Sequence, residues 1–400
     1  MSSVVNEVTV WGTKMKKLSF ILALCIYSQA ALMNLCAQSS TDASATGISR
    51  AFNPAISVNV LFSGMASNKE NPVWEESGVP PGMHLQAADV EITANVDVYL
   101  QSRVVFGGSE IENVGIEEAF LTSLRMPIPL ILRGGKMLCS FGRYNLFHMH
   151  HMAFAENPLI LNYIFQPKLN EVGIEASYLL PLPWYSDLLF GFLNGNNEVL
   201  FDSQKQGRFA YLAHYDNFWD LSDETTFRLG ASFLTGEKGH STWAGEPLDS
   251  TISQINSIVW GLDFHLKWKP LQRGRYQSFV LEGEYVNTKL NINSDLTGQL
   301  HGYYIQGLYQ FDLYWWAQAR YEWFNRSEDL YAFFPSPPEL AIDNTGNFSG
   351  KRISLAMAYV PTEFSAYRLQ YNYLKFAEMK EQQIVLQVNV TIGSHPAHKY

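Results

Sequence analysis

Cysteine is scarce in this sequence, since its 400 residues include only Cys25, Cys36 and Cys139. The first two lie within residues 1–37, which read as an export signal, so the mature chain would keep Cys139 alone. A single cysteine cannot form an intrachain disulfide. We therefore expect a fold that is held together without disulfides.

Long apolar runs are missing after residue 37, although 47% of the residues are hydrophobic and 14% are aromatic. A transmembrane helix needs about 20 consecutive apolar residues, so a helical membrane protein is excluded. Charged residues supply only 16% of the chain, which is unusual for a soluble domain. A transmembrane β-barrel combines these properties, because its strands alternate lipid-facing apolar and lumen-facing polar residues.

Basic patches and catalytic motifs are also lacking. The net charge is −10, and without a basic patch this excludes nucleic-acid binding. No G-x-S-x-G motif occurs, and the scattered serines and histidines form no pattern typical of a hydrolase. The segment Ser39–Phe52 is too short for a plug domain ahead of a barrel. We therefore expect neither an enzyme nor a plugged receptor.

The N-terminal segment has the three parts of a secretory signal peptide. Met15–Lys17 is positively charged, and Leu18–Tyr27 is an apolar stretch that is too short to span a membrane. We predict a signal peptide over residues 1–37 with its true start at Met15, a periplasmic lead over 38–54 and a barrel over 55–400.

Strict apolar–polar alternation is the strongest structural signal in the chain. It indicates β-strands rather than helices. A soluble sandwich would alternate in the same way, but aromatic residues at the ends of the apolar faces are typical of membrane interfaces. One such face carries Trp260, Leu262, Phe264, Leu266 and Trp268.

The alternating segments predict about sixteen antiparallel strands, from Ala55–Gly64 to Glu381–Gly393. Short connections would be periplasmic turns, and long ones would face outside. Two strands are less regular: Glu117-Glu118 interrupts the fourth, and Val98–Gly107 could merge with the strand before it. A barrel of this size can hold an aqueous channel, whereas eight strands leave room only for side chains. The predicted fold is an all-β, porin-like transmembrane barrel.

The faces predicted to line the lumen carry charges of both signs. Buried charges must be hydrated or paired, and a balanced set argues against a ring of one sign. The candidate pore-lining residues are Arg103, Arg208, Arg228, Asp263, Lys267, Glu282, Glu284, Arg320, Glu322, Arg352 and Arg368.

The long connection Phe141–Leu169 is predicted to fold inward and constrict the pore. Asn145 could cap a short helix that places His148 and His151 on one face, where two imidazoles can bind Zn²⁺. Glu156 is the nearest further ligand. Alternatively, the histidines line the constriction and form hydrogen bonds to the wall. The candidate constriction residues are Arg143, His148, His150, His151 and Glu156.

A second histidine pair, His395 and His398, also has a spacing typical of metal ligands. This tail could instead be the end that the barrel-assembly machinery recognises, closed by Tyr400.

Three segments of the first half resemble the early strands of phosphate-selective outer-membrane porins. They are Ala88–Gly107, Ile116–Leu121 and Leu132–Lys136. The chain lacks a run of lumenal lysines or arginines, which argues against phosphate as the solute. It is also similar to a group of uncharacterised outer-membrane barrels, some described as zinc-regulated, and this second match is closer. The residues that carry it are Gly135-Lys136, Ser140, Gly142, Asn145, the histidines that follow, and the final His395–Tyr400 run.

These resemblances imply an outer-membrane porin or uptake barrel with a connection to zinc. We therefore expect a passive channel for small hydrophilic solutes or ions, as a monomer or homotrimer in the outer membrane of a Gram-negative bacterium. Its partners would be outer-membrane lipid and the barrel-assembly machinery. No cofactor other than zinc is expected. The alternatives are a metal-linked uptake or binding barrel and a closed barrel that serves as a structural or adhesion platform.

Overall fold

The computed structural model of the protein describes residues 54–70, 72, 79–110, 113–197, 199–201, 208–238, 242–243, 246–247, 255–291, 297–327, 348–376 and 379–393. The predicted signal peptide, the lead up to residue 53 and the pair His395 and His398 lie outside these ranges.

Within these ranges, sixteen antiparallel strands close into one barrel, as predicted, with β1 paired to β18. A separate two-stranded hairpin, β10 (Thr242–Trp243) and β11 (Glu246–Pro247), lies in a connection predicted as loop. The barrel strands are β1 (Ala55–Ser67), β2 (Gly82–Asn95), β3 (Leu100–Gly108), β4 (Gly115–Ser123), β5 (Leu130–Leu138), β6 (Asn170–Leu179), β7 (Tyr185–Leu193), β8 (Ala210–Ser222), β9 (Thr225–Lys238), β12 (Ile255–Trp268), β13 (Ser278–Asn291), β14 (Thr297–Gln310), β15 (Trp315–Arg326), β16 (Phe348–Thr362), β17 (Ser365–Phe376) and β18 (Met379–Gly393).

The two faces of the strands separate by polarity as the alternation predicts. On β12, Leu262 is 50% exposed on the outside of the barrel, whereas its neighbour Asp263 is 2% exposed on the inside. On β18, Leu386 is 53% exposed, whereas Gln387 is 3% exposed. Because successive side chains of a strand point to opposite faces, this pattern follows directly from the sequence.

The two ends of the barrel differ in the length of their connections. The β2–β3, β8–β9 and β16–β17 hairpins close one end, and we call this the short-turn end. Ser57 near the start of β1 pairs with Gly393 at the end of β18, so both described termini lie there. Aromatic residues cluster at the same end, for example Trp315 against Tyr359 at 4.9 Å between ring centroids.

The irregular fourth strand contains a β-bulge. Glu118 pairs with Val105 and Ile116 pairs with Phe106, which leaves Glu117 as the extra residue. A bulge re-aims the side chains beside it. Here both consecutive carboxylates reach the barrel interior, where they contact the same histidine ring, that of His148. The third strand, which could have merged with the second, is separate from it.

Gly135 on β5 has a φ of 135°, and a Cβ built there would lie 2.2 Å from the carbonyl oxygen of Ala119. The β4–β5 pairing therefore requires glycine at this position. We expect Gly135→Ala to lower the free energy of unfolding by about 1–3 kcal/mol, measured by urea unfolding in detergent. The matched control is Gly134→Ala, because a Cβ there meets only Ile174 at 3.9 Å. Equal losses in both variants would contradict this explanation.

The segment between β5 and β6, residues 139–169, lies inside the barrel, and we call it the lumenal loop. It contains two 3₁₀ turns, Tyr144–Leu146 and Met149–His151, and one short helix, α1 (Leu159–Phe165). No helix in the described part of the chain is long and apolar enough to cross a membrane.

Candidate functional site: the loop inside the barrel

Asn145 closes the base of the lumenal loop. Its Nδ2 donates to the carbonyl oxygens of Cys139 at 2.8 Å and Leu169 at 2.9 Å, and its Oδ1 accepts from the Leu169 N–H at 2.8 Å. The expectation that Asn145 caps a helix is wrong, since its side chain joins the two ends of the loop instead. The loop therefore leaves and rejoins the wall at one point.

The lumenal loop crosses the barrel to the opposite wall. Glu156 contacts Arg320 on β15 and Arg352 on β16. In the described barrel, six strands separate β6 from β15 on one side, and six separate β5 from β16 on the other. The contacts of Glu156 are therefore as far around the wall from the base of the loop as the barrel allows.

Four charged residues form a buried ion-pair network at this far contact. Arg320 Nε lies 2.6 Å from Glu322 Oε1, and Arg352 Nε lies 2.7 Å from the same oxygen. Both arginines also reach Glu156 Oε1, at 3.4 and 3.3 Å, and the side chains of all four residues are at most 1% exposed. Buried charges are tolerated only when they are paired in this way. The network joins the loop to the wall.

Backbone groups of the loop bind other polar residues of the wall. The N–H groups of Arg143 and Tyr144 donate to Glu284 on β13 at 2.8 and 2.6 Å. On β17 and β18, Arg368 donates to the Met152 carbonyl at 2.9 Å, and Asn389 donates to the His150 carbonyl at 3.0 Å. The wall thus supplies hydrogen-bond partners for a loop backbone that lies away from bulk water, as buried backbone groups require.

An apolar layer fills the lumen around α1. The Leu159 N–H donates to Glu322 at 2.6 Å, which fixes the start of the helix on the ion-pair network. All side chains of α1 except that of Asn162 are buried. Facing it, Phe324, Phe348 and Phe376 are at most 1% exposed. These packed apolar side chains occupy the lumen at this level.

The three loop histidines point to different partners. His148 lies 2.9 Å from Glu118 through Nε2 and 3.4 Å from Glu117 through Nδ1. His150 Nδ1 lies 3.4 Å from Asp89 Oδ2 on β2. Although burial lowers the pKa of His148, hydrogen bonds to the two glutamates outweigh it and raise the pKa to about 9.

His151 does not share a helical face with His148, so that expectation is wrong. His148 precedes a 3₁₀ turn in extended conformation, and His151 ends that turn. His151 lines a small, partly open cavity with Arg143, His265 and Glu282. Glu156 was expected as the nearest further metal ligand, but it forms ion pairs with Arg320 and Arg352 across the barrel.

Most predicted pore-lining charges are paired across the strands of the wall. Arg228 contacts Asp216 at 2.6 Å and Asp263 at 3.3 Å, and Arg103 contacts Glu91 at 3.1 Å. Arg143 of the loop lies 3.3 Å from Glu282. Lys267 is half-buried on β12, and Arg208 lies just before β8. Charges of both signs therefore face the lumen.

The sequence did not identify Asp89 and Glu117 as partners of the loop histidines. Glu117 was visible only as a break in the alternation of the fourth strand, and nothing in the sequence set Asp89 apart from other carboxylates of the strands. Their meeting depends on the bulge and on the path of the loop, which are set by contacts between distant parts of the chain.

Comparisons with known proteins agree with this architecture. No family model matches the chain. An uncharacterised protein of Aquifex aeolicus (strain VF5) is 27% identical over 401 residues, which span 88% of this chain and 81% of that protein.

Solved structures with a similar fold are outer-membrane porins and channels. An anion-selective porin from Comamonas acidovorans has a TM-score of 0.54 at 10% identity, covering 85% of this chain and 99% of its own. The outer membrane channel DcaP of Acinetobacter baumannii has a TM-score of 0.53 at 12% identity, covering 86% and 99%. The trimer form of Vibrio cholerae OmpT has a TM-score of 0.54 at 9% identity, covering 86% and 100%. The chain therefore has the fold of an outer-membrane porin.

Proposed function

We propose that this protein is a passive channel for small hydrophilic solutes or ions in the outer membrane of a Gram-negative bacterium, as a monomer or a homotrimer. The observation that carries the proposal is the construction of the lumen. Its wall presents charges of both signs, and the lumenal loop that crosses it is held by ion pairs and hydrogen bonds rather than by sheet pairing. Polar contacts of this kind can exchange for water when the loop moves.

The channel is gated by the lumenal loop. Because the apolar layer around α1 closes the lumen, solutes pass only when the loop shifts from the wall. A small cavity between the loop and the wall lies beside Arg143 and Glu282. The charges that line the lumen are paired, so they do not favour ions of one sign. The short-turn end faces the periplasm, as in single-chain bacterial barrels with an even number of strands.

Planar-bilayer recording of the purified protein tests the proposal. We expect discrete conductance steps that are rare, because the resting lumen is closed. We also expect a reversal potential near zero in a salt gradient, because charges of both signs line the path. Heat-denatured protein in the same detergent is the control. Steps from a variant without the lumenal loop but none from the native protein would overturn the proposal, and so would the absence of steps from both.

A metal-linked uptake or binding barrel is the second candidate, favoured by the carboxylates gathered around His148. A closed barrel that acts as a structural or adhesion platform is the third, favoured by the apolar layer that fills the lumen. A platform would not conduct as the native protein, even if its variant without the loop did, so recordings of the native protein separate it from a channel.

A further inference from the structure

Asp89 on β2, Glu117 on β4 and His148 on the lumenal loop converge on one point. Each offers a ligand atom, and these atoms all lie within 4.8 Å of one another. The contact between His148 Nδ1 and Glu117 is 3.4 Å. Ligands about 2.1 Å from a tetrahedral Zn²⁺ lie roughly 3.4 Å from each other. Small movements of the side chains would therefore complete a metal geometry.

The carboxylates of Asp89 and Glu117 both lie against Gly107, where a larger residue would not fit. A Cβ built there would lie 2.1 Å from Glu117 Oε1 and 2.9 Å from Asp89 Oδ1, so both oxygens approach the same patch of backbone. Asp89 is 3% exposed, and its Oδ1 has no hydrogen-bond partner among the described residues. Leaving a buried carboxylate oxygen without a partner is costly. A bound cation would satisfy it.

A second set of contacts orients the His148 ring. Its Nε2 lies 2.9 Å from Glu118, which also accepts the Leu138 N–H at 3.0 Å and lies 3.6 Å from Arg103. Histidine ligands in proteins usually donate their second ring nitrogen to a carboxylate in this way, which leaves the first nitrogen for the metal. His148 Nδ1, on the side of Glu117, is thus the nitrogen available to an ion.

The alternative is that a proton alone holds these groups together. A protonated His148 would attract Glu117 and Glu118, but it carries one charge. Three carboxylates (Asp89, Glu117, Glu118) surround it, and Arg103 is shared with Glu91. Carboxylates that are partly buried around one histidine repel one another strongly. A divalent cation neutralises more of this charge than the proton that it displaces.

We propose that Asp89, Glu117 and His148 form a Zn²⁺ site that fastens the lumenal loop to the barrel wall. Imidazole nitrogen and carboxylate oxygen are both ordinary ligands of Zn²⁺. His150, at 3.4 Å from Asp89, holds that carboxylate from the loop side. The Glu117 side chain is 39% exposed, which gives an ion a route to the site. The site joins strands β2 and β4 to the loop at a place far from the ion-pair network.

Isothermal titration of Zn²⁺ into the purified, chelator-treated protein in detergent tests the site. We expect His148→Gln and Glu117→Gln to weaken binding at least about tenfold, as loss of a ligand contact does. His151→Gln is the matched control, because it removes a neighbouring histidine that faces the cavity instead. We expect its affinity to stay within about twofold of the wild type.

The outcomes are distinct. Absence of Zn²⁺ binding by the wild type, unchanged binding by both ligand variants, or equal loss in His151→Gln would each overturn the proposal. Glu117→Gln guards against misfolding as an explanation, since it keeps the size of a half-exposed side chain. Without metal it should still unfold in one cooperative thermal transition, while the Zn²⁺-induced rise of the midpoint should be lost.

The fastening role rests on the proposed channel function and has its own measurement. In planar bilayers, we expect Zn²⁺ to lower the open probability of the wild type and EDTA to restore it. The open probability of Glu117→Gln should change with neither. If the wild type conducts but its open probability does not change with Zn²⁺ or EDTA, the site does not fasten the loop. If nothing conducts, the channel function fails while the titration result stands by itself.

Discussion

Removal of the lumenal loop is expected to raise the single-channel conductance at least about tenfold, because a sixteen-stranded barrel without an obstruction encloses a water-filled pore. The change replaces Ser140–Lys168 with Asn-Gly. Cys139 and Leu169 already form a backbone hydrogen bond at 2.9 Å, and Leu138 pairs with Asn170. A two-residue turn can therefore join β5 to β6 without altering the sheet. Conductance in planar bilayers is the measurement.

The same variant should be less stable to heat, and this checks the packing argument separately. Without α1, the lumenal faces of Phe324, Phe348 and Phe376 would meet water. Exposure of apolar surface costs roughly 25 cal/mol per Å². A lower thermal midpoint together with a large, steady conductance is the expected pair of results. A conductance equal to that of the wild type would show that the loop does not close the lumen.

Loss of the charge on Glu322 is expected to destabilise the protein by about 3–5 kcal/mol, the usual cost of breaking a buried ion pair. In Glu322→Gln, Arg320 and Arg352 keep only Glu156 as a shared carboxylate. The start of α1 also loses the charge that accepts the Leu159 N–H. We expect a lower free energy of unfolding in urea, followed by tryptophan fluorescence, and a higher open probability in bilayers.

Two further variants make this result specific. Glu110→Gln removes a carboxylate from a more exposed ion pair with His84, and its effect should stay below about 1 kcal/mol. Adding Arg352→Met to Glu322→Gln removes one of the two arginines that would then share Glu156 alone, and it should recover part of the lost stability, which a double-mutant cycle would measure. If Glu322→Gln costs no more than Glu110→Gln, the network does not hold the loop.

The barrel wall could be predicted from the sequence because its signal is local. Each strand shows its two faces within about ten residues, as in Trp260–Trp268, and alternation needs no knowledge of the partner strand. Strand ends were less well defined, because pairing partners decide how far a strand extends. For this reason β1 ends at Ser67 rather than at Gly64.

The path of the lumenal loop could not be predicted in the same way. Its length and its histidines identified it as a candidate constriction, but a helix from Asn145 to His151 was expected where two separate 3₁₀ turns occur. The reason is that Asn145 finds its hydrogen-bond partners at the base of the loop and His148 finds its partners on β4. Tertiary contacts overrode local helix geometry.

The sequence by itself determined the class of the fold, the number of strands and, outside the bulge at Glu117, the face on which the charges of the strands lie, because those properties depend on period-two patterning. Only the tertiary structure decided which charges meet. Glu156 is 164 residues from Arg320, and His148 is 30 residues from Glu118, so neither pairing has a local signature. Closure of the barrel brings β15 and β16 opposite the base of the loop, and that closure places the lumenal loop across the interior of the barrel rather than on its surface.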